Sequence, residues 1–572
     1  MIRETIRTDI QEILEGLGIE VAPFVVEHPA DFANGDYSSN VAMVLGKKLG
    51  QNPRELADKI AAALRASSND IIERIDVAGP GFINIYLSKR FFEQAVQDVI
   101  NQGENYGLSG RLKGKRTIIE FTDPNPFKQF HIGHMMSNTI GEALCRLAEW
   151  NGADVKRMVY QGDIGLHVAK AVWGMVQNRA GFPQDDDTLE VKIRFLSNAY
   201  AFGAREYESD NRAKQEIEVT NKLLFDRSNH ELLIYYEKGR QWSLEAFETI
   251  YPRLGTTFDF QVLESEVAEI GKQAVLDGVA KGVFEESQGA IVYHGEKHGL
   301  HTRVFINSQG LPVYEAKELA LATVKEKMYA YDKSIVLTAN EQDEYFKVIL
   351  AAMNEVFPEL RAKTTHISHG MLRLPSGKMS SRTGEVVAAE GLIEEVKVKV
   401  LQKIADRGFT QEEADKVAEA VAIGAIKYSI LKQSPGKDII FDFDKSLSFE
   451  GDSGPYLQYS TIRTQSIMRV AEETGIAIGQ AVQPDEWEVT EVEKIVNRFP
   501  EVLANAYDEL APQQLVTYLT ELSAAFNSFY ANNQIVKQGD PASPYKVGIA
   551  NAVHIILVNG LAALGIPVPE KM

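Results

Sequence analysis

Two short segments carry residue types and spacings suited to chemistry on phosphate. His131-Ile132-Gly133-His134 places two imidazoles one turn apart at the predicted start of a helix, just past a predicted strand. A helix N-terminus offers free N–H groups and the positive end of the dipole, which suit a phosphate. Two imidazoles there can donate to the same phosphate oxygens, and Gly133, with no Cβ, lets a flat base lie against the backbone. The same four residues also suit a two-histidine metal site or an ordinary turn. Downstream, Leu374-Pro375-Ser376-Gly377-Lys378-Met379-Ser380-Ser381-Arg382-Thr383-Gly384 is rich in cations and hydroxyls. Such a loop can close over a triphosphate and neutralise departing pyrophosphate. Standing alone it reads as an exposed basic turn.

These segments need elements to hold them. Thr117-Ile118-Ile119-Glu120-Phe121 is a short β-rich run, and helical spacing follows through Met136, Ile140, Ala143, Leu144 and Leu147, with Gly152 as a stop. Val155 to Tyr160 fits a returning parallel strand, giving the βαβ unit of a nucleotide-binding sheet. Ser334 to Thr338 is another strand, before a helix carrying Tyr345, Phe346, Val348, Ile349 and Leu350. Residues from about 180 to 300 are acidic and mixed and read as an insertion. The expected organisation is an α+β module over 1–105, a Rossmann-like α/β domain over 106–385 and an α-helical domain over 386–572. The first module opens with an amphipathic helix (Ile6, Ile10, Ile13, Leu14, Leu17), then a turn-rich stretch, a helix from Pro53 and the strand Phe82–Leu87. The last shows capping-box patterns at Thr410–Glu413 and Thr490–Glu493, and helical spacing through Leu515, Leu519, Leu522 and Phe526.

The chain has 572 residues, 44% apolar and 24% charged, which excludes whole-chain disorder, collagen and coiled coil. Its net charge of −20 argues against nonspecific nucleic-acid binding, although a local basic patch can act against an acidic background. One such patch runs from Arg111 through Lys113, Lys115, Arg116 and Lys128. The single cysteine, Cys145, excludes internal disulfides and a multi-cysteine zinc site. Met1 is followed by Arg3, Glu4 and Arg7 rather than a secretory core, and the apolar run Val553–Val568 is broken by His554, Asn559, Gly560, Gly565 and Pro567. A cytoplasmic protein with no membrane partner is expected.

Together the two segments resemble the paired HIGH and KMSKS signatures of class I aminoacyl-tRNA synthetases. Glu120-Phe121-Thr122-Asp123-Pro124-Asn125-Pro126-Phe127-Lys128 resembles the approach to the first signature in the arginyl-tRNA synthetase family. Gly162-Asp163-Ile164-Gly165, Tyr314-Glu315-Ala316-Lys317-Glu318, Gly454-Pro455-Tyr456-Leu457-Gln458-Tyr459 and the final Leu564–Met572 match that family in order, as do Gly35-Asp36 and Gly79–Asn84. The resemblance implies activation of L-arginine by ATP with Mg2+, giving arginyl-adenylate and pyrophosphate, then transfer to tRNA(Arg). It implies a class I Rossmann-like catalytic domain, an N-terminal tRNA-contacting module, a C-terminal anticodon-binding bundle, activation that depends on bound tRNA, and a monomer.

By the same resemblance, His131, His134, Lys128, Lys378 and Arg382 are the catalytic set. ATP falls to His131, Gly133, His134, Gly370, Met371, Lys378, Met379 and Ser380. Arginine falls to Glu120, Asn125, His134, Tyr314, Glu318 and Gln342, where bidentate carboxylates suit a planar cation. Tyr37 or Tyr459 are candidates to stack on unpaired bases. Three positions depart from the family pattern: Glu318 stands where Asp is usual, Asp123 where Ser is usual, and Ser381 where the second loop usually has a lysine. Other class I enzymes fit less well. A single cysteine cannot build the zinc sites of cysteinyl and many methionyl enzymes, and no large editing domain is present for an aliphatic substrate. A non-catalytic relative would be expected to lose the histidines or Lys378.

Overall fold

The computed structural model describes residues 2–67, 70–373, 388–478 and 482–572. The chain folds as two compact units, one of 1–108, 459–505 and 517–560, the other of 109–458, 506–516 and 561–572.

In the first unit the helix Ile2–Gly16 buries Ile6, Ile10 and Leu14, the residues that recur at helical spacing. It packs with the helix Pro53–Ser67 on an antiparallel sheet of β1 (Val26–Glu27), β2 (Tyr37–Ser39), β3 (Ile72–Ala78) and β4 (Phe82–Leu87), in the order β1-β2-β4-β3. Tyr37 is fully buried and its hydroxyl donates to Glu501 at 3.0 Å, so it is core rather than a stacking surface. His28 closes the same network through Glu501 Oε2 at 3.2 Å. Tyr459 keeps partial exposure, with the Arg463 guanidinium 4.9 Å from its ring centre. The capping box at Thr490–Glu493 starts a helix as expected, and the helix Gln513–Asn532 carries the leucine series. The apolar C-terminal run begins earlier than its sequence breaks suggest. The helix Ser543–Ala563 is long and apolar enough by length and composition to cross a membrane, and 67% of that window is buried in the structure.

The second unit is built on a parallel sheet of β5 (Arg116–Glu120), β6 (Asp154–Gln161), β7 (Phe260–Leu263), β11 (Lys333–Ala339) and β12 (Thr364–His369). Its order is β12-β11-β5-β6-β7, and every pair is parallel. Between β7 and β11 runs a small antiparallel sheet of β8 (Glu285–Ser287), β9 (Ala290–Tyr293) and β10 (Arg303–Ile306). A pair of two-residue strands, β13 (Leu372–Arg373) and β14 (Ile439–Ile440), completes the set. The stretch read as an insertion therefore contains a strand of the main sheet. Its four residues are too few to show a period against the long helices Leu189–Ser209, Asn211–Phe225 and His230–Ile250 that precede it.

Chain order reverses between β5 and β11, whose neighbours on either side continue in opposite directions. That switch point leaves a crevice at the carboxyl ends of the strands. The helix Ile132–Trp150 follows β5 and packs so closely that a Cβ on Gly141 would lie 2.2 Å from Phe121 Cγ. Further along, Gln458 donates to the carbonyls of Ala420 and Pro567, which ties the Gly454–Tyr459 motif to the chain's last residues.

Candidate active site

Every strand of the parallel sheet delivers a polar group to the same end. Glu120 ends β5 and the histidine pair follows it, Gly162-Asp163 follows β6, Glu264 follows β7, Gln342 follows β11, and His369 ends β12 with Gly370-Met371 beyond it.

The segment between β5 and the helix is strained. Thr122 (φ 82°), Asp123 (φ 43°) and Phe127 (φ 67°) all lie in the left-handed region, which costs a non-glycine residue ~1–3 kcal/mol each and persists only where surroundings over-determine it. Here they do. The Thr122 N–H donates to Ser137 Oγ at 2.9 Å, and Asn138 Nδ2 donates to Thr122 Oγ1 at 3.0 Å. Asp123 Oδ1 accepts from the Tyr160 N–H at 2.8 Å, and the Phe127 N–H reaches Ser243 Oγ at 2.9 Å. Asp123 is thereby turned onto β6, which answers its departure from the family's serine.

His131 is the N-cap of the helix Ile132–Trp150. Its Nδ1 accepts from the Gly133 N–H at 3.1 Å and the His134 N–H at 3.4 Å, while His134 Nδ1 accepts from the His131 N–H at 3.2 Å. The first-turn amides expected to be free for phosphate are in part taken by His131 itself. This hydrogen-bond network assigns the proton of each ring to Nε2. The rings stack at 3.6 Å between centroids. Burial, with Lys128 nearby, pushes His131 down to about 4, and burial with His131 and Lys128 holds His134 well below the usual range. Both are neutral N–H donors at pH 7. Gly133 has a structural reason of its own: a Cβ there would lie 2.9 Å from His131 Cε1.

Lys128 sits on the loop before His131, its Nζ 5.2 Å from the Tyr200 ring centre, close enough to disfavour protonation of His131, His134 and His167. His369 adds to the same effect on the pair, and its Nδ1 lies 2.7 Å from the Gly370 carbonyl. Gly370 is a close approach: a Cβ would fall 2.2 Å from Lys437 O. The Met371 N–H donates to Asp438 Oδ1 at 2.9 Å. Ala388 bridges to His131, and the Ala389 N–H donates to Phe130 O at 3.0 Å. Lys378, Met379, Ser380 and Arg382 lie outside the described residues.

Beside the histidines is a pocket of carboxylates. Glu120 Oε2 accepts from Lys325 Nζ at 2.8 Å, and Glu264 pairs with Lys317. Glu318 is buried, with no ion-pair partner among the described residues. Burial and then Glu120 raise its carboxyl well above the usual range, against the pull of Lys325. Burial and Glu120 raise Asp123 likewise. Tyr314, one turn before Glu318, is raised by burial and by Glu318. A Cβ on Gly162 would lie 2.4 Å from Asn125 Oδ1 and 3.3 Å from Glu264 Oε1, so those two acceptors converge on one space. Gln342 closes the turn Asn340–Gln342 at the same end of the sheet, with no hydrogen bond to the carboxylates among the described residues. Three glutamates, with Asp123 turned onto β6 beside them, thus outnumber the two lysines.

The sequence reading missed Lys325, Lys317, Glu264 and Tyr160. Lys325 lies seven residues after Glu318, two turns along the same helix face, a spacing that would have exposed it. Asp163, inside a motif already noted, proves to be a hub. Its Oδ1 accepts from the Ser265 N–H at 2.9 Å, and its Oδ2 accepts from Tyr236 Oη at 2.7 Å, Ser265 Oγ at 2.8 Å and Arg240 at 3.3 Å. That anchors the helix bearing Glu264.

Comparison with known proteins bears on the family and the fold. Residues 95–443 match the family model for tRNA synthetases class I (R), catalytic domain. Residues 457–572 match the DALR anticodon binding domain, and 1–87 the arginyl tRNA synthetase N terminal domain. The arginine–tRNA ligase of Treponema denticola is 31% identical over 596 residues, covering 100% of both chains. That of Halothermothrix orenii is 28% identical over 575 residues, covering 98% of each. The fold superposes on Thermus thermophilus arginyl-tRNA synthetase with a TM-score of 0.80 at 23% identity, covering 100% of both chains. It superposes on the Plasmodium falciparum arginyl-tRNA synthetase with a TM-score of 0.81 at 20% identity, covering 100% of this chain and 99% of that one. The chain belongs to the class I arginyl-tRNA synthetases, the ligases that join arginine to tRNA.

Proposed function

We propose that the carboxylate pocket holds the arginine guanidinium and the histidine pair holds the ATP α-phosphate, so that the substrate carboxylate meets the phosphorus between them. The observation that carries this reading is a buried excess of carboxylates beside two neutral imidazoles at the switch point of the sheet. A guanidinium is planar, permanently charged and weakly hydrated, so it is the cation such a pocket best accommodates.

In this scheme Glu318, Glu120, Tyr314 and Gln342 face the guanidinium, and Asn125 takes the α-ammonium. An arginine carboxylate oxygen attacks the α-phosphorus. As that O–P bond forms, the bond to the β-phosphate oxygen breaks and pyrophosphate leaves with the electron pair. His131 and His134 donate Nε2–H to the α-phosphate oxygens, whose charge grows in the transition state. Lys128, together with Lys378 and Arg382, neutralises pyrophosphate, and ATP enters carrying Mg2+. Gly133, Gly370, Met371, Met379 and Ser380 border the nucleotide. A hydroxyl of the terminal tRNA ribose then attacks the arginyl carbonyl, and AMP leaves. The N-terminal module and the C-terminal helices grip tRNA(Arg), the chain acts as a cytoplasmic monomer, and activation waits on tRNA binding as a coupling between sites.

Pyrophosphate exchange with each amino acid singly, with and without tRNA(Arg), tests this. Exchange with arginine, and only when tRNA(Arg) is present, is expected. Full exchange without tRNA removes the coupling, and equal exchange with another amino acid overturns the assignment of the pocket.

A further inference from the structure

Tyr160 lies on β6, 4% exposed, and its buried hydroxyl has no hydrogen-bond partner among the described residues. Its direction follows from register. Met158 pairs with Glu120 across β6 and β5, so Tyr160, two residues on, faces the same side of the sheet as Glu120. Burial raises the hydroxyl well above its ordinary range, and Glu264, Glu318, Tyr314 and Glu120, the groups of the acidic pocket, add to the rise. The other polar groups of that pocket are largely engaged: Glu120 with Lys325, Glu264 with Lys317, and Asp123 with the Tyr160 N–H. The Tyr160 backbone is also pinned by that last bond, so its ring is held by a strand rather than by a loop.

Buried polar groups are normally hydrogen-bonded, and one left open inside a charged pocket points to a ligand. The chemistry of that ligand is constrained. Carboxylates around the hydroxyl reject an anion and favour a cation, and the phenolic oxygen is open to accept a bond from that cation's N–H, so what fits is a donor-rich cation. A guanidinium has five N–H donors in a fixed fork and no acceptor.

We propose that Tyr160 Oη accepts a hydrogen bond from the arginine guanidinium, a specificity contact additional to Glu120, Glu318, Tyr314 and Gln342. The inference rests on the reading of the acidic pocket as the guanidinium site. Glu318 from the helix Tyr314–Met328 and Tyr160 from β6 then both address the fork. A compact ammonium makes fewer directed bonds to such a pair.

Tyr160→Phe removes only the hydroxyl and leaves the ring in the core cluster it shares with Val262, Val267 and Leu321. Steady-state exchange is measured in the presence of tRNA(Arg), with arginine and ATP varied separately, alongside the melting temperature. An arginine KM raised ~10-fold, with ATP KM and melting temperature held, is the expected result for one lost bond to a charged donor. An unchanged arginine KM overturns the proposal, since it makes the hydroxyl mere filler. Equal rises in both KM values with a lower melting temperature overturn it too, as a structural disturbance. If the wild-type chain itself shows no arginine-dependent exchange, the underlying reading of the pocket fails, and that failure is visible before any variant is made.

Discussion

Lys325 Nζ donates to Glu120 Oε2 at 2.8 Å, and the two side chains are only 4% and 2% exposed. Burial pulls the lysine pKa down, but Glu120 and Tyr331 more than offset it, leaving it above its ordinary value. The lysine therefore stays charged, and Glu120 enters the pocket already committed to an internal cation. Glu318 carries no such commitment.

The two carboxylates should therefore respond differently to loss of charge. Glu120→Gln leaves Lys325 buried without its partner, a change that costs ~3–5 kcal/mol when a buried pair is broken, and it should raise the arginine KM far more than the ATP KM. Glu318→Gln should raise the arginine KM with little or no loss of stability, because it relieves repulsion from Glu120 and Asp123. Thermal melts with arginine and ATP kinetics separate the cases. Equal melting losses would contradict this ordering. Glu318→Asp is the companion: if the longer side chain is fitted to this pocket, the family-like Asp should bind arginine less well.

Lys128 should act on the rate rather than on arginine binding. Ser381 leaves the second signature one lysine short, and Lys128 lies three residues before His131. Losing a preorganised cation for the leaving group typically costs ~3 kcal/mol, about a hundredfold in kcat, and Lys128→Ala should show that loss with a near-normal arginine KM. Adding Ser381→Lys should recover part of it. Normal exchange by Lys128→Ala together with a defective Arg382→Ala would transfer the role to Arg382.

The buried histidines should write themselves into the pH dependence of stability. His131 titrates near 4 when folded and near 6.5 when unfolded, and burial drives the difference. A depressed folded pKa makes the unfolded chain bind the proton first. Stability from this group is thus complete above about 6.5 and drains as pH falls from there toward 4, with a slope of up to ~1.4 kcal/mol per pH unit per histidine. His167, pushed down to about 3, and His366, to about 4, act in the same direction. Denaturant melts of His131→Asn, which keeps an N-cap side chain, should show a shallower slope between pH 6.5 and 4 than the parent chain. An unchanged slope would mean His131 is not held neutral by the fold.

Asp163 offers a test of positioning at a distance from the reacting atoms. Asp163→Asn removes the charge that Arg240 and Tyr236 share and weakens the anchor at Ser265, one residue after Glu264. A loss of ~3 kcal/mol in stability is expected from the uncompensated arginine, together with a lower kcat/KM for arginine. A variant with normal melting and normal kinetics would show that the hub is dispensable.

The β5–helix–β6 unit was legible because its signals are local. A β-rich run, a 3.6-residue apolar repeat from Met136 to Leu147 and a terminal glycine each act within a few residues, and each appears where expected. The capping boxes were legible for the same reason, since both partners lie on one turn. The order of motifs along the chain also pointed to the family, because it reflects covalent connectivity. Tertiary structure decided what those residues face. Tyr37 looked free to stack on a base, yet a glutamate more than four hundred residues away takes its hydroxyl into the core. The first-turn amides at His131 looked free for phosphate, but its own imidazole folds back onto them. Lys325 and Glu120 lie far apart in sequence and only the parallel sheet brings them together. Which carboxylate is neutralised from within and which is left for a ligand depends on burial and distance, and neither is a property of residue type or spacing.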